Sequence, residues 1–179
     1  MSQVLRADQT LRTDIAGWDG KSSADIEKLY LKHNPSAELV DGLLSLMAIP
    51  ETSKGSSWLL KHHLENGGSL EVQQRAELIK QLLPMDDWQS QLHLLQCLPY
   101  VTFPARQKKK VERFLRGCLG SENKFVRTWS YNGFYLLADQ FPEYREEAQQ
   151  FLQMALRDEA ASVKARIRNI IKQGAGWLK

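Results

Sequence analysis

Cysteine is scarce: Cys97 and Cys118 are the two in 179 residues. That is too few for a disulfide framework, and both lie among apolar neighbours, so they read as buried thiols rather than redox centres. No uninterrupted apolar run approaches the roughly 18 residues of a membrane helix, so no membrane partner is expected. The opening MSQVLRADQTLRTDIAGWDG mixes polar and apolar residues and lacks the apolar core of a signal peptide, which predicts a cytoplasmic protein. Nucleotide and zinc-protease signatures are missing: there is no G-x-x-x-x-G-K-S/T, no G-x-G-x-x-G and no H-E-x-x-H. No Ser-centred nucleophile motif occurs either. His62, His63 and His93 are the nearest approach to a metal set. Adjacent histidines diverge by about 100° on a helix, and no Cys or acid completes a shell by spacing. Neither a metal, a small-molecule cofactor nor a catalytic centre is expected. Strand-like alternation of useful length is absent as well.

What is present is an ordinary apolar content of 42% and an uneven distribution of charge. Residues 1–100 carry 9 Lys/Arg against 13 Asp/Glu, and residues 101–179 carry 15 against 8. An acidic partner, if there is one, belongs with the second half.

Turn signals fall every 12 to 18 residues along the chain. Residues 1–22 read as a weakly ordered arm or one short helix, with Trp18 as an anchor. Ser22 or Ser23 can cap a helix to about His33. Asn34 as N-cap and Pro35 in the first turn restart the chain. A helix follows from Glu38 to Ala48, which Ile49-Pro50 closes. Helices are then expected from about Lys54 to Glu65, from Ser69 to Pro84, and from a cap at Asp86 or Asp87 to Leu98. Phe103-Pro104 opens a helix ending near Leu119-Gly120. Asn123–Gln140 is the next, Phe141-Pro142 opens another to Arg157, and Ala161–Gln173 is the last. Residues 175–179 read as a frayed tail.

The chain repeats itself. Phe151-Leu152 is followed twelve residues later by Val163-Lys164, and Phe114-Leu115 by Val126-Arg127. A fainter copy runs from Leu78 to Leu98, so the starts lie 36 and 37 residues apart. A fixed period of that length, built from two helices, marks stacked helix pairs that cannot bury their apolar faces alone. The run Pro142…Leu156-Arg157-Asp158-x4-Val163-Lys164-x2-Ile167 resembles a HEAT repeat, with Pro in the first helix, Asp in the turn and Val-Lys opening the second. The copy over residues 104–139 keeps Pro104, Val126 and Arg127 and has Ser121 where the Asp would be. The 69–98 copy keeps neither Pro nor Val-Arg, and the 35–66 copy matches by Pro35 and helix phase. The resemblance implies an all-α, right-handed α-α superhelix (a HEAT-like solenoid) of about four helix pairs, over residues 35–66, 69–100, 104–140 and 142–173, plus one N-terminal helix. It further implies binding of a protein, sometimes a nucleic acid, along the groove lined by the second helices. The basic residue after Val is assigned to a ladder with the turn acid, which takes Arg127 and Lys164.

Aligning Gly55, Ser90, Val126 and Val163 superposes those second helices. Core columns then hold Leu59, Leu94, Ser130 and Ile167, and His62, Cys97, Gly133 and Ile170. Opposite them stand Lys61, Gln96, Asn132 and Asn169, flanked by Thr128, Tyr131, Arg168, Tyr135 and Lys172. Amides can pair with a partner's backbone, tyrosines give contact area, and cations give charge-assisted bonds, so these nine are the expected binding residues. Leu60, Leu92 and Leu95 make the N-terminal half of the strip apolar. Either a partner or the N-terminal arm covers them. A second basic cluster, Arg106, Lys108, Lys109, Lys110, Arg113 and Arg116, falls on a first helix and hence on the other face.

The expected function is therefore a non-enzymatic scaffold or adaptor for a protein or peptide. The alternative is nucleic-acid binding, and some DNA-alkylation-repair glycosylases are HEAT-like. That chemistry needs a carboxylate beside a groove aromatic. One turn beyond Trp58, Trp88 and Trp129 stand His62, Leu92 and Gly133. The nearest acids, Asp86 and Asp87, read as helix caps.

Overall fold

The structure, a computed structural model, describes residues 2–33, 35–174 and 176–178, with side chains from Gln9 onward. Among the described residues it is all-helical, with ten α-helices and three short 3-10 turns. No described helix is long and apolar enough to cross a membrane. The chain forms two compact units, Met1–Tyr100 and Val101–Lys179. The boundary falls between the second and third of the sequence repeats.

The first unit holds α1 (Ser2–Ala16), α2 (Ser23–Lys32), α3 (Ala37–Leu46), α4 (Pro50–Glu65), α5 (Val72–Gln81) and α6 (Trp88–Cys97). The arm is thus mostly a fifteen-residue helix, and its Leu11 and Ile15 are buried. Ser22 caps α2, accepting from the Asp25 amide at 3.2 Å. The expected cap Asn34 lies outside the described residues, and the cap of α3 is Ser36. Pro50 opens α4 at its first turn instead of closing α3. A proline costs nothing there, because an N1 amide has no intrahelical acceptor. Ser69 does not start α5 either. Glu71 caps it in a reciprocal capping box with Gln74. Asp87 takes the cap of α6, its carboxylate accepting from the Ser90 amide at 2.8 Å.

α4 is the helix the first unit gathers around: α1, α2, α3 and α6 all pack on it. Its composition allows this. Thr52, Ser53, Ser56 and Ser57 are buried, and an added Cβ on Gly55 would sit 2.6 Å from the Ile15 methyl of α1. Small side chains let neighbouring backbones approach closely. Leu59, Leu60, Leu94 and Leu95 fill the space between α4 and α6, all fully buried. Each contributes about 1.5–3 kcal/mol by leaving water. Leu60 and Leu95 therefore offer no apolar surface to a partner. Leu92 alone of the three is half-buried.

The second unit holds α7 (Lys108–Leu119), α8 (Lys124–Gln140), α9 (Arg145–Asp158) and α10 (Ala161–Gln173), with 3-10 turns Ala105–Gln107 and Pro142–Tyr144 ahead of α7 and α9. In this unit the segments opened by Pro104 and Pro142 thus begin with a 3-10 turn. α8 is central and meets α7, α9 and α10. Leu152, Ala155, Val163, Ile167 and Ile170 form a buried cluster, against which Tyr131, Tyr135 and Leu178 pack. The tail is not simply frayed. Trp177 stacks on Tyr135 with ring centroids 5.7 Å apart, and its indole N–H donates to Asp139 at 3.1 Å. Cys97 and Cys118 are buried and free. Burial pushes the Cys118 thiol up to about 12 and the Cys97 thiol higher still.

Candidate functional site

The nine expected binding residues divide between the two units. Lys61 and Gln96 belong to the first. Lys61 is engaged, pairing with Glu65 at 3.2 Å and lying 5.0 Å over the Trp58 ring. Trp58 in turn stacks on His62 at 5.0 Å, so this aromatic is held by its own helix. His62 is half-buried, the one exception in its core column.

The other histidines of this unit are also occupied. His63 Nδ1 shares a 2.8 Å hydrogen bond with the Tyr30 hydroxyl. His93 Nδ1 lies 3.0 Å from Ser57 Oγ, a spacing that invites comparison with a nucleophile and its base. The Ser57 hydroxyl also reaches the Lys54 carbonyl at 3.0 Å, so the two acceptors share one hydroxyl. Burial, then the nearby Lys61 charge, hold the His93 pKa down at about 4. Among the described residues no three metal-ligating side chains cluster. A cavity of about 380 Å³ lies between the starts of α4 and α6, walled by Met47, Pro50, Pro84 and Met85. Its hydroxyls, Ser53 and Ser90, already bond each other at 3.2 Å.

In the second unit the structure brings Asn132, Tyr135 and Asn169 together. They line a cavity of about 320 Å³ between α8 and α10, with Arg166, Ile170, Gln173 and Gly174. The local sequence dictates this grouping. On α10 residues 166, 169, 170 and 173 share one face at helical spacing, and on α8 so do 128, 132 and 135. Asn132 is 9% exposed, and its side-chain amide, which makes no hydrogen bond among the described residues, is not one of the fully buried unpaired groups. Asn169 and Gln173 are both exposed, and their amides make no hydrogen bond among the described residues. The Arg166 guanidinium lies 4.4 Å over the Trp129 ring and meets no described carboxylate. No acid lines the cavity. Gly174 closes one end. An added Cβ there would sit 2.7 Å from the Ile170 carbonyl, so no larger residue fits that wall.

Arg166 and Gln173 were not among the expected residues. A signal for Arg166 was present: three residues beyond the aligned positions the column reads Trp58, His93, Trp129, Arg166. A cation one repeat after a tryptophan in one column is placed to stack on it.

Tyr131 has a different task from the one expected. Its hydroxyl donates to Glu159 at 3.2 Å. Arg127 grips the same carboxylate through Nε at 2.8 Å and Nη2 at 3.0 Å, and also donates to the carbonyls of Ser121 and Glu122. Burial, then the Glu159 charge, push the Tyr131 pKa up to about 12. The Arg127 ladder thus exists, but its acid is Glu159. Asp158 pairs instead with Arg157 at 3.0 Å. Lys164 donates to the Arg157 carbonyl at 2.8 Å and so caps the end of α9. Thr128 returns its hydroxyl proton to the Lys124 carbonyl at 2.6 Å. Arg168 and Lys172 are exposed on another side of α10.

The basic cluster on α7 is half neutralised. Lys108 pairs with Glu143, Lys109 with Glu112 at 2.8 Å, and Arg116 with Glu112 at 2.9 Å and Glu147 at 2.7 Å. Partial burial opposes ionisation of Glu112, but hydrogen bonds from Lys109, Tyr144 and Arg116 outweigh it and hold the pKa at about 2. Compared with known proteins, the chain matches no family model, no curated protein and no solved structure.

Proposed function

We propose that this chain is a non-enzymatic binding module, a HEAT-like right-handed superhelix of about four helix pairs whose second helices receive a protein or peptide segment. The observation that carries this reading is the α8–α10 face. Around a residue-sized cavity it holds three primary amides and one guanidinium that, among the described residues, meet no hydrogen-bond partner and no carboxylate respectively. Unengaged amides suit a polypeptide, which offers alternating donors and acceptors at every residue. The tyrosine strip narrows to Tyr135, because Tyr131 serves the Glu159 ladder.

Nucleic-acid binding is the second reading, and one observation favours it: α10 carries Lys164, Arg166, Arg168 and Lys172 and no acid. Phosphate binding needs several cations on one surface.

Panning a random peptide library against immobilised protein, with binders then measured by titration, tests the first reading. Selected peptides should lose about tenfold or more in affinity to the Asn169→Leu/Gln173→Leu variant, whose changes are exposed, with helicity unchanged. Undiminished binding to that variant refutes the assignment of this face. Titration of single-stranded and duplex DNA at about 50 and about 200 mM salt tests the second, by whether affinity falls steeply between them.

A further inference from the structure

We infer that the α8–α10 cavity recognises a carboxylate joined to a peptide bond, with Arg166 as the clamp and Asn132 as the floor. The inference deepens the peptide-binding reading and rests on it for its biological meaning, but its chemistry can be tested alone.

Three observations converge. The first is Asn132. The residue is 9% exposed and lines the cavity, and its amide, not fully buried, makes no hydrogen bond among the described residues, so its donors and acceptor are available to a ligand there. The second is Arg166. Its guanidinium carbon lies 4.4 Å over the Trp129 ring, and its donors meet no carboxylate among the described residues. Those donors form a fork that matches the two oxygens of a carboxylate. The third is the shape and sign of the cavity. About 320 Å³ is at the small end of ligand sites and suits one residue or a chain end. Its polar lining is one cation, a tyrosine and three amides, so an anion enters without facing a like charge.

The same geometry favours carboxylate over phosphate. At about 100° per residue, Lys164, Arg168 and Lys172 fall on the side of α10 opposite residues 166, 170 and 173. One cation therefore faces the cavity, enough for a carboxylate and few for a polyphosphate backbone. The amides of Asn132, Asn169 and Gln173 are then placed to read the peptide bond beside the carboxylate.

Side-chain NMR on the full chain is the test, following the NH2 signals of Asn132, Asn169 and Gln173 and the Arg166 Nε–H. The probes are N-acetylglycine, its neutral isostere N-acetylglycinamide, N-acetyl-aspartic acid N-methylamide blocked at its main-chain carboxyl, and dimethyl phosphate. N-acetylglycine should shift all four groups with a Kd on the order of 1–10 mM, and the neutral isostere should bind at least about tenfold more weakly. Equal binding by the blocked aspartate would support the inference with an internal acid as the source; weaker binding would support it with a chain terminus. Arg166→Gln should abolish the discrimination between acid and amide. Should that change disturb Trp129, the exposed Gln173→Leu provides the second variant, expected to weaken N-acetylglycine several-fold. The inference is overturned if the four groups do not move at about 50 mM probe, if the amide binds as well as the acid, or if dimethyl phosphate binds as well as N-acetylglycine. Selected peptides that still need Asn169 and Gln173 would then leave the peptide reading intact without the carboxylate.

Discussion

Replacing Glu159 with Gln should destabilise the protein by about 2–3 kcal/mol at pH 7, roughly the value of two charge-assisted hydrogen bonds reduced for partial exposure. The structure supplies the reasons. Glu159 is 11% exposed and Arg127 25% exposed, and the carboxylate accepts from Arg127 at 2.8 and 3.0 Å and from Tyr131 at 3.2 Å. Glutamine keeps the shape but offers one neutral acceptor to a fork built for two oxygens. It also leaves the guanidinium charge unpaired, although Arg127 retains the carbonyls of Ser121 and Glu122. For a chain of this size the loss corresponds to about 4–12 °C in Tm, read by circular dichroism. The pH dependence carries a sign. The Arg127 hydrogen bonds hold the Glu159 pKa below its usual 4.5. The native carboxylate therefore binds protons less readily than the unfolded one. Its contribution is complete above about pH 4.5 and is lost as pH falls through the lowered folded value. The gap between wild type and Glu159→Gln should close in that direction. A variant within about 0.5 kcal/mol of wild type at pH 7, or a gap unchanged between about pH 7 and pH 3, would refute the ladder as a stabilising unit.

Two further outcomes follow from the first unit. Gly55→Ala places a methyl 2.6 Å from Ile15, so overpacking of about 1–3 kcal/mol should exceed the roughly 1 kcal/mol gained in helix propensity. Urea denaturation should show a net loss, partly restored by Ile15→Ala, and a stabilised Gly55→Ala would show that α1 does not press on α4 there. His93, neutral in the fold down to about pH 4, makes the unfolded chain the better proton acceptor below its usual 6.5. Stability should fall as pH drops from about 6.5 towards 4, and the His93 ring proton resonance should titrate near the lower value; a midpoint near 6.5 would contradict its burial.

Much of the helix layout was legible because two periodicities agreed. Apolar spacing set the faces, so Leu59, Leu94, Ser130 and Ile167 are fully buried as their shared column requires. Turn chemistry set most ends, as at Ser22, Asp87 and Asn123. Errors arose where one residue type serves two purposes. Proline at 50 was read as a stop, yet the same lack of an amide suits a start. The motif marks Asp158 as the turn acid, whereas the acid Arg127 reaches is the next residue, Glu159. The site was half legible. Asn132, Tyr135 and Asn169 share the cavity lining as helical phase suggests, and the signal for Arg166 was its place one repeat after Trp129 in the same column. The burial of Leu60 and Leu95 was beyond sequence reading, because it depends on which helices pack around α4.

The thin flank of α4 has a consequence for how the protein can change. Four helices pack on α4, and enlargement at Gly55 would meet Ile15 of α1 and Ile26 of α2 together. Shrinking is tolerated differently. The Ser56 hydroxyl is buried without a partner, so Ser56→Ala removes a desolvated group and loses no bond. Substitution tolerance is therefore local: Ser56 can lose its hydroxyl, whereas Thr52, Ser53 and Ser57 use theirs to bond the Leu46 carbonyl, Ser90 and His93. Asn169 and Gln173 of α10 are exposed, so packing sets no comparable limit on their size.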